Sequence, residues 1–341
     1  MLLDSLPFSV LPPFFCFNAI GRVFALILCY RKRMKLLFLF ASTLLATTSP
    51  AITEWREGTR LPTAVPHAVA AEMDGKLYVM SGKVGQGLRN FFEQYDLQND
   101  GWRPLTPLPV NISQYAIAAG TGRVFVTGGR ENNTARLSAD FWIYAPDTAV
   151  WLELGSLPSA RADHASYFDG NRLFIFGGIG RDAAVVQSFS PTTGKWSNWK
   201  NRMPVPVSAA AFARSGDELI FAGGIDERGR SVRAVQAFHL EKGTWRQLPA
   251  LPLAASGGAL AVIDGSLHFA GGFSPAKSQV LESHNKLVGQ RWQRQGALPG
   301  GGRHRMAYFG NDSGFVLIGG AIGGGFYALF TASDRVSIFT P

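Results

Sequence analysis

Arginine, histidine and carboxylate side chains gather in short polar runs between the long apolar stretches of this chain. One set follows glycine pairs: Arg130, Arg181, and then Asp226, Glu227, Arg228, Arg230 and Arg233. A second set follows Leu-Pro dipeptides: His67, Arg161, Asp163, His164, Arg303, His304 and Arg305. A planar guanidinium holds a carboxylate or phosphate through two parallel hydrogen bonds, so this excess of arginine favours an anionic ligand. For any single arginine, an ion pair that ties neighbouring elements together is an equally good reading. Other chemistries lack their residues. No H-E-x-x-H or C-x-x-C spacing occurs, so no metal site is expected, and His239 and His268 fall in strand-like runs where packing explains them. Gly300–Gly302 and Gly323–Gly325 do not lead into a helix N-terminus, which a phosphate-cradling loop requires. No cofactor is expected.

The elements that must position these residues are short. The chain has 341 residues, 46% hydrophobic and 17% charged, with 39 Gly and 19 Pro, which excludes a disordered chain or a coiled coil and predicts an all-β fold rich in turns. The formal charge is +9, but five basic residues stand against Asp4 alone in the first 51 positions. The remaining 28 basic and 23 acidic residues form no basic block with interleaved aromatics, so no nucleic-acid partner is expected.

The N-terminal segment reads as two pieces. Arg31-Lys32-Arg33-Met34-Lys35, the apolar Leu36 to Leu45 and the small residues up to Ala51 have the order of a secretory signal over 34–51, with a mature chain over 52–341. Residues 1–33 read as an upstream translation-start artefact. The apolar run from Phe17 to Tyr30 is shorter than the roughly 20 residues a bilayer span needs and contains Arg22, so no stable membrane span is expected. Cys16 and Cys29 both precede the mature chain, and a thiol-free mature domain suits a periplasmic or secreted protein.

Self-comparison exposes six repeats. The second glycines of strand-like runs, Gly82, Gly129, Gly178, Gly224, Gly272 and Gly320, recur at intervals of 47, 49, 46, 48 and 48. Trp55, Trp102, Trp151, Trp196, Trp245 and Trp292 keep step at 47, 49, 45, 49 and 47, each followed shortly by Leu-Pro or, once, Met203-Pro204. Turn signals such as Asp74-Gly75 and Asp264-Gly265 divide each unit into four strands, a, b, c and d. This pattern resembles the kelch repeat over residues 52–341, and the resemblance implies a six-bladed β-propeller of four-stranded blades. None of the eight Trp is followed by Asp, unlike the WD type. Trp55 has no glycine-pair strand before it, and the last repeat has no Trp, so Thr53 to Arg56 is expected to supply the outer strand of the last blade and close the ring.

Alternation places the b–c and d–a loops on one face, and that face carries the residues named at the outset, with Lys83 and Arg136. The loop from Glu227 to Arg233 is similar to one in the bacterial exported sialic acid mutarotases, or N-acetylneuraminate epimerases, which use a Glu and an Arg six residues apart. Ile225 and Asp226 are inserted relative to that family, and its long insertions are absent. The resemblance implies a cofactor-free epimerase acting on an acidic sugar such as N-acetylneuraminate: Glu227 exchanges a proton, Arg233 anchors the sugar carboxylate, and Arg161, Arg303 and His164 complete the pocket. His304, Arg130, Arg181 and His67 are the further ligand-binding candidates. The alternative is a non-catalytic propeller that binds a protein or glycan partner, with Asp226 and Glu227 in surface ion pairs with Arg228 and Arg230.

Overall fold

The structure is a computed structural model that describes residues 54–81 and 90–341. The segments 1–33 and 34–51 and the loop residue Lys83 lie outside the described residues. Among the described residues, six antiparallel blade sheets follow one another along the chain, and a two-stranded sheet, Phe273–Ser274 with Gln279–Val280, lies in the b–c loop of blade 5. Blade 1 comprises Val69–Met73, Lys76–Ser81, Phe91–Asp96 and Gly101–Pro104, and blade 2 comprises Ala116–Gly120, Arg123–Glu131, Leu137–Ala145 and Val150–Ser156. Blade 3 comprises Ala165–Phe168, Leu173–Phe176, Gln187–Ser190 and Lys195–Asn198, and blade 4 Ala211–Ser215, Glu218–Ala222, Val235–His239 and Trp245–Leu248. Blade 5 comprises Ala259–Ile263, Ser266–Ala270, Ser283–Val288 and Arg291–Ala297. Blade 6 takes Ala307–Asn311, Gly314–Ile318 and Val336–Thr340 from the end of the chain and Glu54–Gly58 from its start, with Trp55 opposite Phe339.

The repeat residues explain this geometry. At the a–b turns, Asp74-Gly75, Thr121-Gly122 and Asp264-Gly265 have two successive positive φ angles, the primed turn whose twist matches the strands it joins. The second glycine of each pair donates its N–H to the linker of the next blade: Gly129 to Arg161 O at 2.8 Å, Gly178 to Val207 O at 2.9 Å, Gly224 to Ala255 O at 2.8 Å, Gly272 to Arg303 O at 2.9 Å and Gly320 to Val65 O at 3.0 Å. The first glycine allows that approach, since a Cβ on Gly177 (φ +65°) would lie 2.3 Å from Val207 O. In four blades the Trp indole stitches the outer strand to the linker entering the same blade, Trp102 Nε1 to Thr59 O and Trp151 Nε1 to Thr106 O, each at 2.8 Å, Trp245 Nε1 to Asn201 O at 3.4 Å and Trp292 Nε1 to Pro249 O at 2.9 Å, whereas Trp55 Nε1 has no partner among the described residues.

Burial follows the interfaces between blades. Six apolar clusters form, and each joins two neighbouring blades: Leu77 and Ile318 between blades 1 and 6, Tyr78 and Tyr144 between 1 and 2, Phe141 and Phe189 between 2 and 3. Phe174 and Phe238, Leu251 and Leu260, and Ala270 and Phe315 mark the other three. Where the innermost strands crowd round the axis, small residues replace large ones, as in Ala116-Ile-Ala-Ala-Gly120 and Ala211-Phe-Ala. No helix among the described residues is long and apolar enough to cross a membrane.

Candidate functional site

Between each Leu-Pro and the innermost strand, the linker turns through one residue in the left-handed region: Gln114 (φ 56°), Asp163 (51°), Ala209 (49°), Gly257 (62°) and Arg305 (53°). His67 holds the equivalent place in blade 1. Four of the five are not glycine, and a ring of backbone hydrogen bonds holds them there. Arg305 N donates to Gly257 O at 2.6 Å, Gly257 N to Ala209 O at 2.9 Å, Ala209 N to Asp163 O at 2.9 Å and Asp163 N to Gln114 O at 2.8 Å. Ala68 N donates to Arg305 O at 3.1 Å and carries the ring from blade 6 to blade 1. The ring rims the axial channel on the face of the b–c and d–a loops.

Its side chains meet over the mouth. Arg305 Nη1 lies 2.9 Å from Asp163 Oδ1, so blades 6 and 3, opposite one another, are joined by an ion pair. Gly257 makes room for this bar, since a Cβ there would lie 2.9 Å from Arg305 Cγ. Gln114 Nε2 donates to Asp163 Oδ2 at 3.1 Å, and Arg130 Nε donates to Gln114 Oε1 at 2.9 Å. Arg130 Nη1 also bonds Ala135 O at 2.6 Å, which fixes the arginine under its own b–c loop.

Below the ring is a cavity of about 460 Å³, with walls that include Ala70, Ala116, Ala118, Ser166 and Ala213. This volume is in the range of small-molecule pockets. Tyr308 crosses it from blade 6 to blade 4: its hydroxyl accepts from Phe212 N at 2.7 Å and donates to Phe212 O at 3.2 Å, and burial raises its pKa. Two carboxylates line the cavity, and both are engaged. Asp163 is held by Arg305 and Gln114, and Glu72 accepts the Gly75 amide at 2.8 Å. Tyr115 Oη and His164 Nδ1 are buried at the wall with no hydrogen-bond partner among the described residues.

The residues singled out from sequence divide into three groups. His67 and Arg130 belong to the mouth, His67 as a half-buried lining residue and Arg130 through Gln114. His164 lines the cavity wall, where its Nε2 meets Thr127 Oγ1 at 2.8 Å; Thr127 in turn meets Ser166 Oγ at 2.6 Å. Burial, with the neighbouring Arg161 charge, drives the His164 pKa well down and keeps the ring neutral.

Arg161, Arg303 and His304 lie inside the framework. Arg161 is 1% exposed, and its guanidinium donates to Gly177 O at 3.2 Å, Ser159 Oγ at 3.1 Å, Asp182 O at 3.3 Å and Gln187 Oε1 at 2.9 Å. Arg303, fully buried, repeats this in blade 6 with Gly319 O at 3.3 Å, Arg335 O at 3.1 Å and Ser337 Oγ at 2.6 Å. Burial lowers both guanidinium pKa values to about 10, so both remain cations at neutral pH. His304 Nε2 meets Gly323 O at 2.8 Å, which pins the glycine-rich loop of blade 6, and its ring lies tilted against Phe273 with centroids 5.6 Å apart.

Glu227, Arg233 and Arg181 are on the outer surface of the b–c loops. All three are exposed, and none lines the cavity. Asp226 organises the Glu227 loop, accepting from Arg228 N at 3.0 Å, Arg230 N at 2.8 Å and Arg230 Nη2 at 2.8 Å. The surface pairing expected of this loop therefore falls on Asp226 and Arg230, while Arg233 Nε donates to Leu251 O. Among the described residues, no group of His, Cys, Asp and Glu could hold a metal ion. Gln114 and Tyr308 were not legible as site residues from their types. The signal that finds Gln114 is the column His67, Gln114, Asp163, Ala209, Gly257, Arg305, two places beyond Val65, Ile112, Arg161, Val207, Ala255 and Arg303.

A family profile for the KLHDC2/KLHL20/DRC7 Kelch-repeats domain matches residues 114–320. The chain belongs to the kelch-repeat family. Its relatives include the spermatocyte protein spe-26 of Caenorhabditis elegans, 28% identical over 200 residues that make up 56% of this chain and 34% of that one. Kelch-like protein 36 of Rattus norvegicus is 24% identical over 265 residues, 72% of this chain and 42% of the relative. Kelch-like protein terF of Aspergillus terreus is 29% identical over 245 residues, 64% and 52% of the two chains. The chain thus spans about a third to a half of the length of these relatives. Among solved structures, that of YjhT superposes with a TM-score of 0.72 at 20% identity, covering 83% of this chain and 96% of the other, a likeness of fold.

Proposed function

We propose that this kelch propeller is a non-catalytic binding module that takes a protein partner on the face of the b–c and d–a loops. One observation carries the reading: this face presents large apolar groups and unpaired arginines together, while the carboxylates beneath it are engaged. The blade 6 loop exposes Tyr327 (70%), Phe330 (64%) and Ile322 (52%). Arg136, Arg181 and Arg228 on the same face form no ion pair among the described residues. Aromatic and arginine side chains are the types that dominate binding energy at protein interfaces, and the arginines favour a partner segment with acidic residues.

A selection of displayed peptides on the immobilised full chain tests the proposal. Acidic peptides containing an apolar anchor are expected to enrich, and Arg181→Ala with Tyr327→Ala is expected to weaken the selected peptides at least about tenfold, each lost anchor being worth more than 1 kcal/mol. Enrichment indifferent to both substitutions sinks the proposal. The second reading, a mutarotase for an acidic sugar, draws on the Glu227 and Arg233 spacing in an exposed loop of this face. It requires anomer exchange of N-acetylneuraminate above a heat-inactivated control by proton NMR, abolished in Glu227→Gln; the binding-module reading expects no exchange.

A further inference from the structure

The six outer strands are an internal control on one another, because each occupies the same place at the rim of a blade. Five of them carry polar or charged residues immediately after the kelch Trp: Arg56, Arg103, Ser197, Arg246 and Gln293. Blade 2 carries Leu152. The residue before the Trp is Glu54, Gly101, Lys195, Thr244 or Arg291 elsewhere, and Val150 in blade 2. Past a bulge between Glu153 and Gly155, Leu154 is also turned out. Val150 is 45% exposed, Leu152 55% and Leu154 43%, on an outer strand of seven residues, Val150–Ser156. The outer strand of blade 5 is equally long but presents Arg291, Gln293 and Gln295.

An edge strand offers unpaired backbone N–H and C=O groups, and charges normally guard such an edge against further pairing. In blade 2 both positions beside the Trp are aliphatic and Glu153 is the one charge on the strand, while its five counterparts keep polar or charged groups beside the Trp. We propose that this edge is a self-association surface, on which two copies of the chain pair antiparallel through Val150–Leu154. The strand is complementary to itself in one register. With Leu152 opposite Leu152 of the second copy, Trp151 faces Glu153 on the other side of the sheet, and Val150 lies against the bulge that carries Leu154. No pair of like charges is opposed, and apolar cross-strand pairs are the unit of sheet stabilisation. Trp151 already packs on Phe92 and Tyr144 and donates to Thr106 O, so the strand is held rigidly before any partner arrives. The result is a continuous eight-stranded sheet across two blades, with a two-fold axis at Leu152.

A contact made by one strand is at the small end of stable interfaces, so the dimer should form over micromolar concentrations, up to about 200 µM. Sedimentation velocity on the full chain across that range tests it. The wild-type chain is expected to dimerise, and Leu152→Lys to move the midpoint at least about tenfold higher with an unchanged melting temperature. Gln293→Lys, on the matched edge of blade 5, is expected to change nothing. In a chain with Cys16→Ser and Cys29→Ser, Leu152→Cys is expected to form a covalent dimer on mild oxidation, because the register places the two positions face to face. A wild-type chain monomeric throughout the range, or a dimer indifferent to Leu152→Lys, overturns the proposal.

Discussion

Arg161 and Arg303 bring full charges into the interior of blades 3 and 6 and pair their terminal nitrogens with carbonyls, hydroxyls and one amide, while Nε of each has no hydrogen-bond partner and no carboxylate lies within ion-pair distance among the described residues. Where other linkers place Val65, Ile112, Val207 and Ala255, these two arginines reach outward along the blade and tie the linker to strands b and c. Removing either leaves several buried carbonyls unpaired. Arg161→Met or Arg303→Met is therefore expected to lower unfolding free energy by about 3 kcal/mol, read by urea denaturation. A loss under about 0.5 kcal/mol, the size of an ordinary surface substitution, contradicts the framework role. Sequence places both residues in the right loops and on the right face, because strand alternation settles that much. It does not show where a side chain points. An arginine in a polar loop looks solvent-directed until the overlying b–c loop and the glycine-pair clamp are in place, and those are contacts between residues far apart in the chain. Asp163 and Arg305, 142 residues apart, are the same case in reverse: two ordinary loop charges that only ring closure brings into contact.

At the scale of the strand, blade 5 holds an unusual pair. His268 on strand b and His284 on strand c meet ring to ring, Nδ1 to Nε2 at 2.8 Å, 2% and 1% exposed, packed against Phe339 and, through His284, against Trp55 of the closing strand. The expectation that His268 is a packing residue holds. Burial lowers its pKa to about 4, and burial followed by the His268 and Lys286 charges lowers that of His284 to about 3. In the unfolded chain both titrate near 6.5, so between pH 6.5 and 4 the unfolded state binds more protons and stability falls as pH falls. The contribution is fully present above pH 6.5 and is lost progressively towards pH 4 and 3. His164 and His304, also lowered by burial, act in the same direction. Melting temperatures from pH 7.5 to pH 4 are expected to drop steeply, and His268→Phe with His284→Phe to flatten part of that slope. An unchanged slope in the double variant contradicts the assignment.

The six blades close into a ring, and two kinds of information specify it. Features that repeat, the glycine pair, the Trp and the Leu-Pro, make the framework and are visible in sequence at fixed spacing. Features that differ between repeats give each face and edge its character: the column that brings Arg305 to Asp163, the aromatic loop of blade 6 and the aliphatic edge of blade 2. Closure depends on both, because Glu54–Gly58 completes blade 6 from the opposite end of the described chain. Trp55 sits there within 5.3 Å of Phe339 and 5.4 Å of His284, ring centre to ring centre, bridging blades 6 and 5. Without the closing strand, Val336–Thr340 becomes a bare edge and the cluster of Ala270, Phe315 and Phe339 opens on one side. Trp55→Ala is expected to cost about 2–3 kcal/mol, less than truncating a fully buried aromatic because Trp55 is only partly buried, whereas a chain beginning after Gly58 should lose cooperative melting altogether. Adding a peptide of residues 52–60 in trans to that shortened chain is expected to restore the transition in a concentration-dependent way. Full cooperativity without the peptide would mean that five blades and a three-stranded sixth close the ring unaided.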